Sequence, residues 1–382
     1  MIVLPLLLFL QSDTGRLQFE HANELAQQGH CEQAEPIYRE LAQKYPNKPA
    51  IPFALGQCQF QAKDYLAAAG SFQAALALDP TASVAAAMRG AALGMAGKMP
   101  EALEQLRAAT RQDASIEPAF RMLGMFEVES GQSGPEALEA LKRAVSLDSS
   151  DERAHYWLGQ GLLATRDFEE AAAEFEAALR LQRSDPEAEL GHAEALRAAG
   201  QPERALGEFQ SVLQRSPSWG KALLGAARCD YDLQRFPEAL RLAEAAHGKV
   251  TDLEEKRAAV WLLARLYRAQ NEIAKAQQME AELAAMERDM ADRLTHFRML
   301  QEEAARYRTA GDYAKVAATL EQALKIEQRQ DSLVVLGDAY RKLGRSKDAA
   351  QCYLRALAVG PEQPEITQRL AATRADLGRQ SR

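Results

Sequence analysis

Seven alanines keep step along this chain: Ala34, Ala68, Ala102, Ala137, Ala171, Ala205 and Ala239, with gaps of 34, 34, 35, 34, 34 and 34 residues. A repeat of that length is one supersecondary unit, too small to bury an apolar face alone, so successive copies must stack. Two further columns share the register. Four residues after each alanine stands a side chain that is nearly always large and apolar: Tyr38, Phe72, Leu106, Leu141, Phe175, Phe209 and Ala243. Upstream of it stands one that is always small: Ala22, Gly56, Gly90, Gly124, Gly159, Ala193 and Ala227.

The columns have a mechanical meaning. A small residue midway along one helix and an alanine early in the next let two antiparallel helices approach closely, and the large side chain a turn later fills the remaining gap. The unit is therefore a helical hairpin. Gly29, Gly97, Gly200 and Gly344 mark turns within units, and Pro46, Pro80, Pro217 and Pro361 close several of them. With 382 residues the chain exceeds one ordinary core, and its 7% aromatic content suits helices packed through small side chains. No strands are expected.

The best-formed unit reads Leu333, Leu336, Gly337, Tyr340, Gly344, Ala349, Tyr353, Ala356, Pro361. It resembles the tetratricopeptide repeat family, as do the units carrying Leu55, Gly56, Ala68, Phe72, Ala75, Pro80 and Leu158, Gly159, Ala171, Phe175, Ala178. The resemblance implies an all-α, right-handed superhelical solenoid of tetratricopeptide-type helical hairpins. On this reading residues 1–12 are an apolar signal-like segment and 15–248 hold about seven repeats. Residues 249–329 are divergent repeats with a long helix, 330–361 one further repeat, and 362–382 a capping helix and tail.

Departures from the register carry information. The turn Ser130–Pro135 holds one extra residue, Ala276 follows Ala239 by 37, and Val316 follows by a further 40. Residues 272–310 contain no glycine or proline, so at least one helix there is expected to outrun a normal hairpin arm. Thr251 with Glu254 forms a capping-box signature at its approach. Leu283, Met286, Met290, Leu294 and Phe297 make an apolar stripe that serves either intramolecular packing or a homo-oligomer through 272–310. Ile366, Leu370 and Leu377 share one side of the last helix, leaving Arg369, Arg374 and Arg379 for a solvated end face.

The family resemblance implies that first helices line the concave wall. The inward side chains are then Phe19, Asn23, Phe53, Gln57, Phe60, Arg121, Met125, Tyr156, Gln160, Arg197, Lys221, Arg228 and Tyr231. Such a surface suits a protein or peptide partner with apolar anchors and some acidic character. The competing reading is that the aromatic members only pack between neighbouring first helices. Of the family's carboxylate clamp only Asn23 and Arg121 match, and Phe53, Gln57 and Ala91 stand where polar grips are needed, so carboxylate-clamp binding is not expected. An organising, non-catalytic subunit of an envelope peptidase, transferase or assembly complex is the alternative function.

A net charge of −8 gives no general attraction for phosphate backbones, so nucleic acid is not an expected partner. No H-E-x-x-H pattern occurs, Gly97-Lys98 lacks the flanking residues of a phosphate loop, and Ser133 lacks those of a nucleophile elbow, so neither enzyme activity nor a cofactor is expected. Cys31, Cys58, Cys229 and Cys352 show no metal-ligand spacing, and Cys31 with Cys58 is the candidate disulfide. The run Met1–Leu10 is too short to span a bilayer and fits the apolar centre of a secretory signal. It points to an exported or periplasmic protein; the alternative is an apolar tail capping the first repeat of a cytoplasmic one.

Overall fold

The computed structural model describes residues 13–131, 133–359 and 363–380. The signal-like segment 1–12 and Pro361 lie outside the described residues. Among the described residues every regular element is a helix. Seven hairpins come first: α1 (Asp13–Gln27) with α2 (Cys31–Lys44), α3 (Ala50–Gln61) with α4 (Tyr65–Leu78), α5 (Ser83–Met95) with α6 (Met99–Gln112), α7 (Glu117–Glu129) with α8 (Pro135–Leu147), α9 (Glu152–Thr165) with α10 (Phe168–Leu181), α11 (Pro186–Ala198) with α12 (Pro202–Arg215), and α13 (Gly220–Asp232) with α14 (Phe236–His247). Each helix packs chiefly on the one before it and the one after it.

The three columns are the contact between hairpin arms. All seven register alanines, from Ala34 to Ala239, have no exposed surface. A Cβ placed on Gly56 would stand 2.8 Å from the Phe72 ring, one on Gly90 2.7 Å from Leu106, and one on Gly337 2.6 Å from Tyr353. The small residue is thus the socket and the large one the plug, which is why the two columns alternate in size and keep their spacing.

The divergent stretch folds as α15 (Leu253–Ala269), α16 (Ile273–Thr309) and α17 (Tyr313–Ile326). The start of α15 is capped by Asp252, whose carboxylate accepts from the backbone N–H groups of Glu254 and Glu255 at 2.9 and 3.1 Å. Thr251 is therefore not the cap, because the aspartate one residue later already takes the exposed first-turn donors. With no breaker in its path, α16 runs for 37 residues, about 55 Å. Its first turns pack on α15 through Ala276 and Met279 as the second arm of one hairpin. Its last turns bring Phe297, Leu300 and Ala304 against α17 as the first arm of the next. Between these, residues 287–293 are exposed all round. The apolar stripe is consequently divided: Leu283 and Met286 join the α13–α15 core, Phe297 is buried at the other end, and Met290 is left open to solvent.

The chain finishes with α18 (Gln330–Lys342), α19 (Ser346–Val359) and α20 (Pro364–Gln380). Helix α20 covers the last hairpin through Ile366 and Leu370, as its pattern predicts. Its other face is not simply solvated. Helix α19 lies against α6, Ala358 is buried among the apolar residues of α4–α8, and Arg107 donates to the Leu357 carbonyl at 3.4 Å. Arg374 grips both carboxylate oxygens of Glu104. The array closes on itself, the last hairpin meeting the third and fourth.

Candidate partner-binding face

Two positions recur on the first helices, three residues before the small socket residue and one after it. They hold Phe53 and Gln57 on α3, Arg121 and Met125 on α7, and Tyr156 and Gln160 on α9. Further along they hold Leu224 and Arg228 on α13, then Trp261 and Arg265 on α15. One helical turn separates the members of each pair, so both lie on one stripe of the helix.

At the N-terminal end this stripe opens into a groove of about 620 Å³ between α1 and α3. Four of the residues expected to face inward, Phe19, Asn23, Phe53 and Gln57, line it together, with Glu20, Glu24, Gln27 and Gln61 also on its walls. Phe19 is buried edge-on to Tyr38, with ring centroids 5.8 Å apart, and Asn23 accepts from the Tyr38 hydroxyl at 2.7 Å. Phe53 is half-buried, its ring 5.6 Å from Phe72. The groove floor is therefore fixed by packing, while Gln57 stands exposed above it. Phe60 does not line this groove; it packs edge-on to Tyr65 at 5.3 Å.

The cations expected on the inner wall are engaged. Arg121 lies between Glu117 at 3.1 Å and Asp151 at 2.7 Å, tying α7 to the residue that caps α9. Arg197 meets Asp232 at 3.2 Å, Arg228 meets Glu194 at 3.3 Å, and Lys221 meets Glu255 at 3.4 Å. Each of these three bonds joins neighbouring first helices. The expected cationic inner wall is thus neutralised in place, and its charges serve repeat-to-repeat register before they serve a ligand. Burial pushes the Glu117 carboxyl up to about 7, against the pull of Arg121 and with the push of Asp151. Met125 packs on the core of α4–α8. The Tyr156 ring lies 5.3 Å from Trp157 and 5.8 Å from Phe175, and its hydroxyl accepts from Gln160 at 3.1 Å.

A second aromatic platform lies on α15, outside the inward residues that the sequence pattern marks. Trp261 is 44% exposed, the Arg265 guanidinium lies 4.4 Å over its ring, and Arg265 also donates to the Tyr231 hydroxyl at 3.3 Å. Tyr231 closes the cluster, 6.4 Å from Trp261 and 5.8 Å from Phe236. The signal was present: Ala264 precedes Ala276 by the same interval that separates Gly56 from Ala68, so the register continues into α15 and puts Trp261 in line with Phe53.

Other reactive groups are occupied by structure. His155 bonds Glu174 at 2.6 Å and His192 bonds Glu208 at 2.9 Å, each joining the two arms of a hairpin. Cys31 and Cys58, the candidate disulfide pair, are buried free thiols, the role of small apolar side chains. The Cys31 thiol donates to the Gln61 side-chain carbonyl at 3.1 Å, and burial, with Cys31 adjacent, pushes the Cys58 thiol up to about 12. Among the described residues no helix is long and apolar enough to cross a membrane.

Family models for the tetratricopeptide repeat match residues 19–83 and 121–189, 196–247, and 330–373, together more than half of the chain. The matches stop at 247 and resume at 330, the limits of the stretch formed by α15–α17. No curated protein matches. Solved structures similar to this one include a tetratricopeptide repeat protein from Parabacteroides merdae, 14% identical over 66% of this chain and 99% of that one, with a TM-score of 0.46. Another is the C-terminal part of a repeat protein from Cytophaga hutchinsonii, 18% identical over 63% and 98%, with a TM-score of 0.46. A third is YrrB, described as a repeat protein with an unusual peptide-binding site, 22% identical over 49% and 95%, with a TM-score of 0.43. The register, the hairpin packing and the matched models agree: this chain belongs to the tetratricopeptide repeat family, whose members mediate protein–protein interactions.

Proposed function

We propose that the protein is a scaffold that holds a peptide or protein segment along its first-helix stripe, anchored at the α1–α3 groove and at the Trp261 platform. The observation that carries this reading is that the same two first-helix positions hold a partly exposed aromatic with an amide on α3 (Phe53, Gln57) and α9 (Tyr156, Gln160), and on α15 an exposed tryptophan that its own core does not cover. Aromatic anchors flanked by hydrogen-bonding groups supply much of the energy of peptide capture, and rigid helices keep the ordering cost on the ligand's side. The charge distribution narrows the ligand. Glu24 on the groove wall favours a basic residue there, Glu20 being paired with Arg16 at 3.3 Å, and Arg265, stacked on Trp261, favours an acidic or amide group at the other end.

The test is selection of binders from a random peptide library on the wild-type protein, followed by titration against Trp261→Ala. The side chain is exposed enough for the variant to keep its helicity. Loss of at least about tenfold in affinity is expected of an anchor aromatic. Selected peptides that bind the variant as tightly as the wild type would remove the platform from the site.

A further inference from the structure

We propose that α19 and α20 form a reversible clasp, which shuts the array onto α6–α8 and opens without unfolding either side. Where the clasp sits is unusual for a repeat array, since its bonds join residues 250 and 270 positions apart in the chain. The contact includes Ala358 seated among apolar side chains of α4–α8, Arg107 shared between Glu127 and the Leu357 carbonyl, and the paired Arg374 and Glu104. Beside the seam an open pocket of about 900 Å³ lies at the α7–α8 turn, lined by residues that include Glu127, Gly134 and Glu136, with Val359 of α19 at its edge.

The electrostatics of the seam argue for reversibility. Among the described residues, seven buried side-chain atoms lack a hydrogen-bond partner, and two of them, Arg89 Nε and Glu127 Oε2, belong to groups at this seam. Burial lowers the Arg89 guanidinium, Glu104 counteracts that, and the like charge of Arg374 adds to it. Burial likewise raises the Glu127 carboxyl against the pull of Arg107. In the closed array these two atoms are buried and unpaired, and opening the seam would readmit water to them. The unbroken 37-residue helix α16 limits where the last hairpin can arrive, so the clasp meets its seat at a high effective concentration. Contacts between parts of one chain that rest partly on exposed charge pairs ordinarily permit relative motion.

The experiment is a distance measurement across the seam, with labels on Lys142→Cys in α8 and Ala375→Cys in α20. The four native cysteines are buried and stay unlabelled. The wild-type array should give a short distance at low salt, with a longer component that grows as salt screens the exposed Arg374–Glu104 pair. Glu104→Arg should shift most of the population to the longer distance, and the charge swap Glu104→Arg with Arg374→Glu should restore the short one. Circular dichroism should be the same for all three. Ala358→Arg, which forces a charge into the apolar seat, is the second opening variant. A short distance that survives salt, Glu104→Arg and Ala358→Arg alike would show a permanent interface and overturn the proposal. So would a charge swap that fails to close, or a short distance seen only between singly labelled molecules after mixing.

Discussion

Ala171 has no exposed surface and lies in one core with Leu158 and the Phe175 ring. Ala171→Leu adds three carbons where α9 and α10 touch, and overpacking of this kind should cost about 1–3 kcal/mol, read as a lower denaturation midpoint. Such positions were legible in the sequence because close approach of two helices admits very few side chains, so the contact writes itself as a column. The salt links were harder to read. Arg228 and Glu194 are 34 residues apart, and Arg197 and Asp232 are 35 apart, so each partner sits one repeat away on the neighbouring first helix. The charges are visible in the sequence, but a single repeat does not show that each faces a partner one repeat away. Glu117 has a measurable consequence at this scale. An unfolded glutamate loses its proton near 4.5, whereas burial holds this one up to about 7. Between those values the folded chain binds more protons than the unfolded one, so this group's contribution to stability falls as pH rises. Glu117→Gln should flatten the decline of the urea midpoint over that range relative to wild type; parallel curves would show that the carboxyl is not held.

Among the elements, α16 shows both the reach and the limit of the sequence pattern. Its length follows from 39 residues, 272–310, without glycine or proline, and that was readable. Its double duty was not, since an apolar stripe does not say whether it meets one neighbour, two, or another molecule. The structure divides the stripe between two hairpins and leaves residues 287–293 without cover. Met290→Pro tests this division. The substitution removes no core contact but breaks the helical ladder, at about 3 kcal/mol. Each half should keep its helicity while the array expands, seen as a larger radius of gyration by scattering; an unchanged radius would mean that the two halves are held together by something other than this helix.

For the whole molecule, the stacking of neighbours was readable from the register, and the return of α19 and α20 to α6–α8 was not. Nothing in a 34-residue rhythm encodes which distant surfaces meet, because that depends on curvature summed over many hairpins. Closure divides the array into a loop, from α5 onward, and an arm, α1–α4, that precedes the seam in the chain. Terminal repeats have neighbours on one side only. Amide hydrogen exchange should therefore be faster in α1 and α2 than in α7–α12, which are flanked on both sides; uniform protection along the array would contradict this division.

The bond from Arg374 to Glu104 also changes how the protein would carry a mechanical load. Tension applied between the two ends would travel along α1–α6 and pass directly through the seam to α20, bypassing the helices between. The seam would act as a fuse: until it ruptured, the hairpins bearing Tyr156 and Trp261 would feel little of the pull.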